Sequence, residues 1–176
     1  MMILAIDPGT HCGWALLDSA TGAYLSGVWD LGARRHEGGG MRFLRLRSYL
    51  TEALDCTSIG MVAYEEVRRH LGTDAAHIYG GIVAVITGEC ESRGIPYCGV
   101  PVAAVKKLAA SHGNASKQEM VAAALARWPG WAPESDDEAD ARWIAEAAAA
   151  ELGFPAGKTC GRPGLAPRSP LDAEEE

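Results

Sequence analysis

Two hydrophobic periods alternate along this chain. Short apolar runs bounded by turn residues predict strands, and apolar positions spaced by three and four predict helices. The run "MMILAID" closes on Asp7 and predicts a buried strand. "PGTHCG" follows, with Pro8, Gly9 and Gly13 as breakers, and "WALLD" predicts a second strand. "ATG" at 20–22 turns the chain into a third, "AYLSGVWDLG". Three strands joined by short turns predict an antiparallel meander. After the glycine-rich connection "ARRHEGGG", Phe43, Leu46, Leu50 and Leu54 fall at helical spacing and predict a helix over 41–55. "SIGMVAYEEV" predicts a fourth strand.

The second half repeats a helix–strand alternation and then turns helical. Residues 74–93 predict a long helix with Gly80 and Gly81 in its middle. Each glycine costs roughly 1 kcal/mol against alanine there, so close approach of another helix is expected. "IPYCGV" predicts a fifth strand and 101–112 a further helix. Ser116 and Ser135 each open a helix, with Glu119 and Glu138 three residues on as capping-box partners. "WPGWAP" separates those two helices. The order β-β-β-α-β-α-β-α-α-α predicts an α/β fold, a mixed sheet with helices on both faces. From 153 onward the chain is rich in Pro and Gly without periodicity. The expected organisation is one folded domain over 1–152 and a disordered tail over 153–176.

Length and composition agree with one domain: 176 residues, 48% apolar. No apolar run reaches the roughly 18 residues of a membrane span. No basic segment precedes the first apolar run, which argues against a secretory signal. The five cysteines form no C-x-x-C pair, which suits a reducing cytoplasm. The formal charge of −7 would argue against a partner as anionic as nucleic acid. Its distribution weakens that inference. Residues 1–133 hold 12 basic and 12 acidic residues, whereas 134–151 hold seven acids and Arg142 alone.

Four acids stand out by position. Asp7 ends the first strand, and Glu65 lies near the end of the fourth within apolar "MVAYEEV". Asp137 and Asp140 lie three apart at the start of the last helix and share a face. Such acids also have ordinary uses: Asp7 before Pro-Gly suits a turn, Glu65 a strand-end surface, and acids in a first helical turn favour the macrodipole. Together they describe a carboxylate cluster, if the fourth strand returns beside the first. Two carboxylates about 4 Å apart repel by about 4 kcal/mol at an effective dielectric of about 20. A divalent cation removes that cost, and oxygen ligands without Cys or His point to Mg²⁺ or Mn²⁺. Two such ions suit phosphodiester hydrolysis.

The strings "ILAIDPGTHCGWALLD", "VAYEEV", "VKKLAASHGNASKQEMV" and "SDDEADARWIAEA" resemble, in order, the RuvC-type Holliday junction resolvases of the RNase H-like superfamily. The compact "GNASK" segment and short length resemble the phage or prophage branch. The resemblance implies an RNase H-like five-stranded mixed sheet of order 3-2-1-4-5. It implies metal-binding catalytic carboxylates at Asp7, Glu65, Asp137 and Asp140, and two Mg²⁺ ions per site with Mn²⁺ as substitute. It implies a homodimer that nicks four-way DNA junctions symmetrically, leaving 5′-phosphate and 3′-hydroxyl ends, with helix 74–93 in the dimer interface. Two positions depart from the family pattern. Arg68, followed by Arg69, stands where cellular members carry a junction-probing aromatic, and Asp137 stands where some members carry His.

Basic residues gather away from the acidic segment. Residues 92–118 contain Arg93, Lys106, Lys107 and Lys117 and no acid; 34–47 contain five arginines against Glu37. A cation at a helix start opposes the dipole, and a phosphate there would reverse that sign, which singles out Lys117. The family also places a DNA-contacting lysine at this motif. Lys106, Lys107, Arg68 and Arg69 are the further DNA-binding candidates. The five tryptophans are expected in the core or between helices. The expected partner is branched DNA, in a bacterial or host cytoplasm, with no membrane. Alternatives are a related nuclease acting on forks, flaps or RNA, an idle junction-binding scaffold, or an actin-like ATP-binding fold. The last needs a second related subdomain and phosphate loop, whereas "DPGT" occurs once.

Overall fold

The computed structural model describes residues 1–68 and 72–153. The elements are β1 (Met2–Asp7), β2 (His11–Asp18), β3 (Ala23–Asp30), α1 (Met41–Cys56), β4 (Ile59–Glu66), α2 (Thr73–Arg93), β5 (Tyr97–Pro101), α3 (Val102–Ala110), α4 (Lys117–Arg127) and α5 (Asp136–Glu151). They form a single five-stranded sheet ordered β3-β2-β1-β4-β5. The meander pairs antiparallel, and β1/β4 and β4/β5 pair parallel. The mixed sheet and its strand order are those expected.

Strand alternation builds two cores. Ile3, Ala5, Met61, Ala63 and Val100 point to the face covered by α3, α4 and α5. Leu4, Ile6 and Val62 point to the other, against Leu46 and Leu50 of α1 and Ile82 and Ile86 of α2. Helix α5 is the central helix of its layer. Eleven of its residues are buried, seven of them alanines, so it carries no amphipathic stripe. Small side chains on both partners, Ala5, Ala15 and Ala63 below and the alanines above, let the helix lie close on the sheet.

Several local expectations change. Strand β2 begins at His11, and only residues 8–10 form the connection after β1. Gly13 is therefore a strand residue, and the site geometry below gives the reason. Helix α3 ends at Ala110, with Ser111 at φ 64. The capping box at Ser116 and Glu119 is complete, whereas at Ser135 only the Ser135 side chain caps. Gly81 has a packing reason inside one chain: a Cβ there would lie 2.5 Å from the Phe43 ring of α1. Gly80 meets nothing within 4 Å. The tryptophans pack as expected. Trp29 stacks between Trp14 and Tyr49, and Trp128 lies against Trp131 and Trp143. Cys12, Cys90 and Cys98 are buried and Cys56 is exposed. Arg69 and the expected tail, from 154, lie outside the described residues. Among the described residues no helix is long and apolar enough to cross a membrane.

Candidate active site

The sheet brings the first two acids together. Parallel pairing sets Ala5 against Ala63 and Ile6 against Tyr64. Continued by one residue, it puts Asp7 beside Glu65. Side chains alternate along a strand, so both carboxylates share the face of Ala5 and Ala63, on which α5 lies. Glu66 belongs to the opposite face, with Tyr64, and pairs with Arg68 at 3.1 Å.

Gly13 brings in the other two. It pairs with Asp7 in the β1/β2 ladder. A Cβ on Gly13 would lie 1.9 Å from the Asp137 carbonyl oxygen, so the first turn of α5 rests directly on strand backbone. That contact brings Asp137 to the end of β1, and Asp140 follows one turn on. Gly13→Ala is expected to destabilise the fold by about 1–3 kcal/mol, as overpacking does, because the clash is with backbone. Equilibrium urea unfolding checks this, and a wild-type midpoint would show that α5 shifts at no cost.

Asp7 feels the charge of the other three carboxylates. Burial raises the Asp7 carboxyl well above its ordinary value, and Glu65, Asp140 and Asp137 raise it further in that order, while Lys117 lowers it. Glu65 is pushed up to about 7, by burial first and then by Asp140, against the lowering effect of Lys106. Asp140 rises to about 6 through burial and Asp136, with Lys117 and Lys106 opposing. Asp137 is raised by burial and by Asp136. Among the described residues no three His, Cys, Asp or Glu side chains already converge as a metal cage. The donor chemistry nonetheless fits Mg²⁺: all four acids offer hard carboxylate oxygens, and each is held in an environment that resists its negative charge.

The basic candidates separate by position. Lys117, mostly exposed at the N-terminus of α4, forms an ion pair with Asp136. Its misplaced charge on the helix dipole is thus offset by a carboxylate of α5, where a phosphate was expected. Lys106 is half-buried and acts on Glu65 and Asp140. Lys107, one residue on, is exposed. Arg68 is exposed just beyond β4. Gly13, expected as a breaker in the turn, is instead the strand residue that seats α5, and the Asp136–Lys117 contact joins two helices and has no local signal in the sequence.

A structure of Thermus thermophilus RuvC aligns with TM-score 0.70 and 25% identity, covering 88% of this chain and 98% of that one. The fold is the RuvC-type fold. T. thermophilus RuvC in complex with a Holliday junction substrate aligns with TM-score 0.75 at 22% identity, over 88% and 96% of the two chains. The yeast mitochondrial Holliday junction resolvase Ydc2 shares the RuvC-type fold at TM-score 0.57 and 15% identity, over 82% of this chain and 76% of its own. No family model and no curated protein matches the sequence.

Proposed function

We propose that this protein is a Mg²⁺-dependent, structure-selective DNA endonuclease that resolves four-way junctions by paired symmetric nicks. The observation that carries the reading is the meeting of Asp7, Glu65, Asp137 and Asp140 at one end of a RuvC-type sheet, each held above its ordinary pKa. The junction-bound T. thermophilus RuvC supports the choice of substrate. Asp7 and Glu65, from adjacent strands, would hold Mg²⁺ together with Asp137 and Asp140 from α5, and Mn²⁺ has the same preference for these oxygens. When bound, the metal supplies water activation and charge neutralisation at the phosphodiester. Strand backbone carries two of the carboxylates, and the seating of α5 on Gly13 sets the height of the turn that carries the other two.

Lys106 and Lys117 border the acids and would hold the incoming phosphate backbone, with Lys107, Arg68 and Arg69 extending the contact. Dimerisation through α2 belongs to the same reading. Gly80 leaves open space on that helix within one chain, room for a close partner. The test compares four-way junctions, forks, flaps and RNA under equal Mg²⁺. Cleavage confined to the junction is expected, and preference for another substrate overturns the reading. Lys117→Ala should weaken junction binding and reduce the slope of log affinity against log salt by about 1. An unchanged slope would remove Lys117 from the phosphate contacts.

A further inference from the structure

Glu138 and Arg142 are the only buried charged residues among those described, 3% and 7% exposed. Both lie on α5 within two residues of a proposed ligand. Neither reaches the carboxylate cluster as part of it; they point under the helix, toward the sheet edge. The Ser26 hydroxyl of β3 donates to Glu138 Oε1 at 2.5 Å and accepts from Arg142 Nε at 2.8 Å. The other carboxylate oxygen of Glu138 accepts from the Glu134 backbone N–H at 2.6 Å. The Glu138 backbone N–H donates to Ser135 Oγ. One side chain thus ties the first turn of α5 to the edge strand and to the loop before the helix. The Arg142 guanidinium closes the far end, 3.9 Å from the Trp131 ring centroid and 4.9 Å from that of Tyr24.

We propose that Glu138, through Ser26 and the aromatic-held Arg142, is a positioning residue that fixes the first turn of α5 so that Asp137 and Asp140 can ligate metal. This rests on the metal-site reading above. Two constraints act on that turn. Gly13 lets it approach the sheet, and the backbone contact at Asp137 sets its height. A height alone leaves rotation about the helix axis free, and rotation would swing Asp137 and Asp140 away from Asp7. Glu138 lies between those two ligands in sequence, and its two accepted hydrogen bonds come from different elements, so it blocks that rotation. Burying a carboxylate and a guanidinium is unfavourable unless both are fully hydrogen-bonded and paired, so a position filled this way beside apolar alanines needs a reason beyond packing. Positioning of a ligand-bearing turn supplies one.

The test compares full-length wild type, Glu138→Ala, Glu138→Gln and Ser26→Ala. Mg²⁺ binding is read by calorimetry and junction cleavage is read against Mg²⁺ concentration. Glu138→Ala is expected to raise both the Mg²⁺ dissociation constant and the Mg²⁺ midpoint for cleavage about tenfold or more, as loss of a ligand-orienting partner does. Glu138→Gln keeps the length and one acceptor and should recover part of the loss. If Glu138→Ala does not fold, Ser26→Ala, which deletes only the bridging hydroxyl, carries the same expected direction. A lower melting temperature with an unchanged Mg²⁺ midpoint would make Glu138 merely structural and overturn the proposal. Wild type that binds Mg²⁺ without cutting junctions would overturn the functional reading and leave the calorimetric comparison to decide the positioning role. Wild type that binds no Mg²⁺ would overturn both.

Discussion

Junction cleavage by the Asp7→Asn variant is expected to fall by more than about a hundredfold, beyond what loss of an orienting partner costs, while the metal-free variant melts at a higher temperature than wild type near neutral pH. Both effects come from one carboxylate. Asp7 is raised by burial and then by Glu65, Asp140 and Asp137, so it is the acid on which the whole cluster acts. Asparagine keeps the shape and one acceptor oxygen but cannot carry charge. It therefore removes a ligand from the centre of the proposed metal site and relieves the repulsion in the empty one. A gain on the order of 1 kcal/mol or more is expected, as at other sites where function and stability conflict. Junction cleavage with Mg²⁺ and thermal melting in a chelator check the two halves. Wild-type cleavage would remove Asp7 from the chemistry. A lower melting temperature would mean that the buried carboxyl is used as a hydrogen-bonding group in the folded protein, not tolerated as a cost.

What was legible in the sequence divides by the range of the interaction. Asp7 and Glu65 were visible because each ends an apolar strand, and period-two alternation then puts them on one face. Asp137 and Asp140 were visible because a spacing of three is a helical neighbourhood. The capping box at Ser116 is local in the same sense and is present in full. At Ser135 the same pattern fails, because Glu138 turns to Ser26, 112 residues away, and to Glu134. A tertiary partner took the side chain from its local one. The start of β2 was misplaced for a related reason. Gly13 looked like a turn former, but its missing side chain is filled by the Asp137 carbonyl. Lys117 and Asp136 lie on consecutive helices whose crossing no local pattern predicts. The net charge of −7 misled for a further reason: it comes almost wholly from residues 134–151, and two of the acids there, Asp137 and Asp140, belong to the carboxylate cluster. Those two are partly removed from water, and the lysines that act on them, Lys106 and Lys117, come from outside that segment.

The metal-free protein should lose stability as pH rises from about 4.5 to about 7, the reverse of ordinary acid denaturation. Glu65 is held at about 7 and Asp140 at about 6 in the folded state, both above their unfolded values. The folded protein therefore binds more protons than the unfolded chain across this interval, and the slope of unfolding free energy with pH is negative. The penalty is absent below the unfolded pKa and complete above the folded one. Taken alone, each shift corresponds to roughly 3 kcal/mol, and because the two groups repel each other the values do not add. Opposing contributions exist. Asp18, Glu37, Glu119 and Asp136 are lowered by hydrogen bonds, so they stabilise the fold above their unfolded values and lose that effect on acidification. Their change is nearly complete by about pH 5, so the interval above it reports the raised carboxylates, Glu65 and Asp140 together with Asp7. Urea unfolding in a chelator should accordingly give a higher midpoint at about pH 5 than at about pH 7.5. Glu65→Gln should flatten the dependence, since it removes the carboxyl held at about 7. A wild-type midpoint that rises over that interval would show that Glu65 and Asp140 are not held in a charge-resisting environment, and would remove the electrostatic support for a cation at this site. Added Mg²⁺ should stabilise more at the higher pH, because the same protons that must leave the carboxylates are those that compete with the metal.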